Sequence, residues 1–441
     1  MPVESSPVPE KRRTSAVREW LLRLILVLAS LLFVLAIAEI AARILRAGQG
    51  GGKEGREDAL YKEYDPLLGW RKKANTATVY KRREYTVEVR INSRGLRDEE
   101  RPPEPAPGVF RVLALGDSFL EGYTVDRDRT VTQQLEGRLR SLSCAGAAEV
   151  LNGGTSAYST DQEYLFYRSE GARYRPSLVV LFFFWNDVIY SDRQEYFGTP
   201  KPVFEMGGGD LRLHRYPVKQ VSRPAADPVT DAADTGSEGS ALLEMIRERL
   251  WFGAPSTHDA LAKLGLWNPI PRSNPRLEML VYDRRDPAPV MDAWEKVGAI
   301  LKALNQDVLA HGSRLAIAYI PGKMEIQESS WKATRQLYRL ADGAWDLHRV
   351  RDQVARIGEA NDIPVIDLGP SLQQAESTFQ STYFTFDGHW NARGHEVAAQ
   401  TVFEWMKKTG ALPATCGGTL PLQAASAEVW SPGEDARGDH K

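Results

Sequence analysis

From Phe110 to Lys408 short apolar runs alternate with amphipathic stretches, and this alternation narrows the available folds more than any other feature of the chain. Val112 to Leu115, Val150 to Leu151, Leu178 to Phe184, Leu315 to Ile320 and Pro364 to Leu368 are short and apolar and read as strands. Helical patterns lie between and after them, over about Val131 to Leu142, Thr160 to Gly171, Asp292 to Ala310, Val350 to Ala360 and Gly394 to Lys408. Strands separated by helices pair in parallel, and the crossovers cover both faces of the sheet. The pattern predicts an α/β fold: a three-layer α/β/α sandwich on a doubly wound parallel sheet.

The rest of the chain adds to this frame. Residues 1–19 read as a cytoplasmic basic N-terminus with Lys11, Arg12, Arg13 and Arg18, and residues 20–45 as a transmembrane helix around the apolar run Leu24 to Ala38. Positive charge before the span, against Arg43 and Arg46 after it, places the remainder outside the cytoplasm, periplasmic or extracellular. A cleaved signal peptide and a buried soluble helix are the alternatives. Residues 46–59 read as a linker, 60–109 as an N-terminal extension in which Tyr85 to Ile91 alternates as a strand or hairpin outside the main sheet, and 110–411 as the α/β domain. About 193–289 the rhythm breaks, which predicts an insertion with a loop that could close over a site. Residues 412–441 read as a disordered tail.

Charge is nearly balanced, 56 basic against 58 acidic side chains, so no nucleic-acid partner is expected. The two cysteines, Cys144 and Cys416, form no metal-binding pattern. They could pair in an exported domain, but the Gly/Pro/Ala-rich surroundings of Cys416 weigh against a disulfide.

The chemistry begins at Leu113-Ala-Leu-Gly116-Asp117-Ser118, where a strand ends in a serine on a glycine-bearing turn before a helix. A serine hydroxyl becomes a nucleophile only with a base to take its proton and donors for the oxyanion that follows. Asp387-Gly-His389 offers a carboxylate and an imidazole two positions apart. Asn152-Gly153-Gly154 supplies a turn where a backbone N–H can approach a reacting atom, and Phe184-Trp185-Asn186-Asp187 supplies a side-chain amide. All four pieces fall at strand ends or before helices, where open α/β sheets build their sites. Asp387, His389 and His395 could instead hold a metal, but no further ligand group accompanies them. His395 reads as a helix-start or packing residue, and Trp185 and Trp390 as core or as pocket walls.

Together the four blocks resemble the GDSL or SGNH hydrolase family, from about Phe110 to Met406. The resemblance implies a flavodoxin-like sheet and a Ser-His-Asp triad of Ser118, His389 and Asp387. It further implies an oxyanion hole from Ser118, Gly154 and Asn186, with no cofactor. Phe184 stands where the family's third block begins with glycine. The last block is Asp-x-His-Trp in place of Asp-x-x-His, similar to the subset acting on acetylated polysaccharides, including alginate O-acetyltransferase-like proteins. The N-terminal span and Ile91-Asn-Ser-Arg-Gly-Leu-Arg97 look like those of bacterial envelope members. The expectation is a membrane-anchored serine esterase for an ester-bearing small molecule, glycan or lipid. The alternatives are an O-acyltransferase modifying envelope polysaccharide and a catalytically idle, tethered binding protein.

Overall fold

The structure, a computed structural model, describes residues 11–48, 61–144, 146–196, 199–207, 210–220, 240–266, 277–338, 340–378 and 380–421. Five parallel strands form the central sheet: β1 (Phe110–Gly116), β2 (Ala148–Asn152), β3 (Leu178–Phe184), β4 (Arg314–Ile320) and β5 (Val365–Asp367). Their spatial order is β2-β1-β3-β4-β5, the doubly wound order of flavodoxin-like sheets, with the chain reversing direction between β1 and β3. β1 and β3 are buried almost throughout, so they read as unbroken apolar runs and not as alternating ones.

Successive side chains of a strand point to opposite faces, and the two faces here carry separate cores. Leu113, Leu115, Val179, Leu181 and Ile317 pack with the helices Thr160–Ser169, Ala288–Ala310 and Arg349–Ala360. Val112, Ala114, Val180, Phe182 and Ala318 pack with Val131–Arg140, Gly369–Ser377 and Ala392–Thr409. The three-layer α/β/α sandwich is therefore present.

Two compact units divide the chain, residues 1–54 with 230–269 and residues 55–229 with 270–441. In the first, the helix Lys11–Gly48 contains a stretch, Arg18–Ile44, long and apolar enough to cross a membrane, with mean hydropathy 2.8. Glu39 lies within that stretch. A carboxylate on such a helix needs partners. Arg43 Nε (2.7 Å), Ser240 Oγ (2.7 Å) and the Leu242 N–H (3.0 Å) all donate to it. The helix Ala241–Gly253, which the sequence assigns to a single insertion, thus belongs with the N-terminal helix, whereas residues 199–220 belong with the second unit.

The sheet and all the candidate site residues lie in the second unit. There the extension forms an antiparallel hairpin, Thr76–Lys81 with Thr86–Ile91, outside the main sheet as its alternation predicts. Two expectations fail. The chain past Leu412 stays ordered to Pro421, with Leu420 buried and a short helical turn at Ala414–Cys416; residues 422–441 lie outside the described ones, as do 49–60 of the linker. Cys144 and Cys416 form a disulfide with their Cα atoms 5.0 Å apart, which fastens that C-terminal segment to the region just after Val131–Arg140. Sequence spacing carries no information about such a pairing.

Candidate active site

β1 delivers Ser118. The strand ends at Gly116, and Asp117 caps the four-residue helix Ser118–Glu121, its Oδ1 accepting the Phe119 N–H at 2.8 Å. The serine is left partly exposed while Asp117, Phe119 and Leu120 on either side of it are buried. The turn after β2 packs directly against this helix. A Cβ on Gly154 would stand 2.5 Å from the Glu121 nitrogen and 2.8 Å from the Leu120 carbonyl carbon, so only glycine fits. Asn152 ties the two together: its Nδ2 donates to the Leu120 carbonyl (2.9 Å) and its Oδ1 accepts the Gly154 N–H (3.0 Å). The expected oxyanion donor at Gly154 is thus engaged in its own turn, and a developing oxyanion would have to share that N–H.

Asn186 opens the short helix after β3, and its side chain lies against the Asp117 carboxylate, next in sequence to Ser118. Its Oδ1 is buried without a hydrogen-bond partner among the described residues. Burial lifts the Asp117 carboxyl to about 6, against hydrogen bonds and the charge of His389 that favour its ionised form. Phe184, which replaces the expected glycine, packs its ring 4.6 Å from Phe119, and Phe119 in turn lies 4.7 Å from the His389 ring. The imidazole is thereby backed by aromatic side chains from two of the blocks.

His389 reaches the serine from the loop before the helix Ala392–Thr409. Its Nε2 lies 2.8 Å from Ser118 Oγ, and its Nδ1 lies 2.6 Å from Asp387 Oδ1, which also accepts the His389 N–H at 2.9 Å. With Nδ1 protonated toward Asp387, Nε2 is the acceptor that the serine hydroxyl faces. Burial opposes charge on both members of the pair, but their attraction outweighs it. Asp387 is held well below the usual carboxylate range, helped by hydrogen bonds from His389 and Tyr85, and His389 is held above the usual imidazole value.

The sequence-predicted residues therefore divide. Ser118, His389 and Asp387 form one unbroken hydrogen-bonded chain, while Gly154 and Asn186 flank the nucleophile turn. His395 does not join them: it is buried, its Nδ1 accepts the Val131 N–H at 3.3 Å, and burial drives its pKa down to about 3. Trp390 is fully buried against Phe119 and is core, not a pocket wall; Trp185 remains partly exposed.

The hairpin was not legible as part of the site. Glu84 at its tip accepts the N–H groups of Thr385 (2.6 Å), Phe386 (2.8 Å) and Asp387 (3.0 Å), and Tyr85 Oη donates to Asp387 Oδ2 at 2.8 Å. From the other side, Lys323 Nζ donates to the carbonyls of Phe384 (2.6 Å) and Thr385 (2.7 Å).

Residues 280–428 match the family model described as "SGNH hydrolase-like domain, acetyltransferase AlgX", in keeping with the resemblance read from the motifs. The matched stretch contains Asp387 and His389; Ser118, Gly154 and Asn186 precede it. Solved structures similar to the chain include a putative lipolytic protein of the G-D-S-L family from Desulfitobacterium hafniense (11% identity, 67% of this chain and 98% of that one, TM-score 0.32). Others are the acetyl xylan esterase AlAXEase (11%, 67% and 99%, 0.36) and a lipase/acylhydrolase from Enterococcus faecalis (13%, 69% and 97%, 0.34). No curated protein matches.

Proposed function

With an SGNH hydrolase-like match over residues 280–428 as premise, we propose that this chain is a serine esterase that cleaves acyl esters, with Ser118 as nucleophile, His389 as base and Asp387 as its orienting carboxylate. The observation that carries the proposal is the hydrogen-bonded chain Ser118–His389–Asp387, drawn together across 271 positions between the serine and the imidazole. Groups this far apart in sequence, each at the geometry its role requires, are a constellation for acyl transfer.

The step follows from the groups. His389 Nε2 takes the proton as Ser118 Oγ attacks the ester carbonyl, and Asp387 stabilises the imidazolium that forms. The oxyanion would be met by the Ser118 N–H, by the Gly154 N–H shared with Asn152 and by the Asn186 amide shared with Asp117. The tetrahedral intermediate collapses, His389 returns the proton to the leaving alkoxide, and an acyl-Ser118 ester remains. Water activated by His389 then releases the acid.

A second reading differs only in that last step: a sugar hydroxyl takes the acyl group in place of water. The description of the matching family as an acetyltransferase favours it. Either reaction would act on O-acylated glycans or lipids outside the cytoplasm, with Arg18–Ile44 as the anchor. The Cys144–Cys416 disulfide suits such an oxidising compartment. The test is turnover of p-nitrophenyl acetate and of an acetylated xylan or alginate, with and without oligosaccharide acceptors. Acetate release at a rate indifferent to acceptor supports the esterase, and acetylated oligosaccharide the transferase. No turnover of any ester by a folded protein would leave an idle binding protein.

A further inference from the structure

We propose that Glu84 and Tyr85, at the tip of the N-terminal hairpin, are positioning residues of the active site that set the orientation and basicity of the Asp387–His389 pair. This rests on the reading of Ser118 and His389 given above.

The loop Phe384–His389 has little internal support. Within it the Phe384 N–H reaches the His389 carbonyl (3.1 Å), but the next three N–H groups, of Thr385, Phe386 and Asp387, all point at one carboxylate, that of Glu84. An ionised acceptor for several backbone donors makes bonds roughly twice as strong as neutral ones. Burial disfavours the charge on Glu84, yet these N–H groups outweigh it and hold the carboxyl below its ordinary range. Arg83 beside it stacks 4.0 Å from the Phe386 ring, so adjacent hairpin residues grip the same loop.

Tyr85 acts on the carboxylate itself. His389 occupies Asp387 Oδ1 through both its Nδ1 and its backbone N–H, and Tyr85 Oη occupies Oδ2, so both oxygens are fixed and the carboxylate cannot rotate away from the imidazole. A donor on Oδ2 also draws charge from the carboxylate. Removing it makes Asp387 more basic and strengthens its hold on the protonated imidazole.

The remainder of the extension grips the nucleophile side. Tyr61 Oη donates to Glu121 Oε1 (2.7 Å), Lys72 Nζ donates to the Gly154 carbonyl, and Arg97 donates to the carbonyls of Glu121 (3.0 Å), Gly122 (2.6 Å) and Val125 (2.7 Å). One segment thus links the serine turn to the base loop.

The experiment is a pH profile of kcat/KM on p-nitrophenyl acetate for the full chain and its Tyr85→Phe, Glu84→Gln, Glu84→Ala and Ser118→Ala variants. Tyr85→Phe keeps the ring that packs 5.0 Å from Phe384 and loses only the donor. The expected result is an acid limb moved to higher pH, with kcat lowered and KM little changed. Glu84→Ala should lose about tenfold to a hundredfold in kcat, the scale of a misplaced catalytic group. Glu84→Gln should fall between, because its amide oxygen still accepts. A merely structural hairpin would lower melting temperature and leave the pH profile of the folded enzyme unchanged. That outcome in Tyr85→Phe, with Ser118→Ala inactive, overturns the proposal alone. Turnover retained by Ser118→Ala overturns the reading beneath it and the proposal with it.

Discussion

The nucleophile turn and the base loop meet at Ser118 Oγ, yet they are held in place by different means. The nucleophile turn is locked chiefly by burial within the fold, and Tyr61, Lys72 and Arg97 of the extension add hydrogen bonds to it. β1 and β3 are buried, Asp117 caps its own helix, and Gly154 admits the Leu120–Glu121 backbone to contact distance. The base loop lies at the rim, with Phe386 66% exposed, and its tip is held by side chains from the hairpin and from Lys323. Packing against a sheet gives the nucleophile a single position. Hydrogen bonds from a distant segment give the base a position that single substitutions can loosen without disturbing the core.

The largest effects test whether the two regions act as one unit. Ser118→Ala and His389→Ala are each expected to cut kcat on the order of 10⁴-fold or more, and the double variant little further, because groups that act together are not additive. Independent, multiplying losses would break the account. Asp387→Asn is next, with a loss on the order of 10²- to 10⁴-fold, since an amide can stabilise neither the right tautomer nor the imidazolium. Asn186→Ala should lower kcat on the order of 10²-fold with KM little changed if its amide serves the oxyanion; an unchanged kcat would assign it to bracing Asp117.

Smaller effects sharpen the contrast in how each side is held. Gly154→Ala should destabilise by about 1–3 kcal/mol by denaturant melt, because its Cβ would strike main chain that cannot move aside. Gly388→Ala in the base loop meets nothing within 4 Å among the described residues and should stay within about 0.5 kcal/mol. Equal costs would mean that the two sides are packed alike.

The two histidines of the last block should separate in pH. His389 is held above the ordinary imidazole value and must be neutral to act as base, so the acid limb of kcat/KM should lie above about 6.5. His395 is pushed down to about 3, so the unfolded chain takes up its proton first. Stability linked to His395 is full above about 6.5 and declines as pH falls toward about 3. His395→Gln should flatten that decline in a thermal melt and leave the activity limb in place.

What could be read in the sequence follows the same division. β3 runs over Leu178–Phe184 as its apolar run predicts, and the serine turn was visible because strand, glycine, cap and helix are neighbours in the chain. The helix Gly369–Ser377 was missed because Gly369-Pro370 reads as a breaker, although proline is well suited to a helix's first turn. Glu84 and Tyr85 gave no signal, since a turn in a β-hairpin has the same composition whether or not its carboxylate meets three amides 301 to 303 positions away. For Trp390 the sequence left core and pocket wall open; the residue bridges to Tyr383 and its side chain is fully buried.

The central claim, that His389 activates Ser118, is tested most directly by reaction with a fluorophosphonate followed by peptide mass mapping. The account requires stoichiometric labelling of Ser118 in the wild-type chain, abolished in Ser118→Ala and strongly slowed in His389→Ala, with each variant folded by circular dichroism. Folded wild-type protein that takes no label, takes it on another residue, or takes it as fast without His389 would contradict the account.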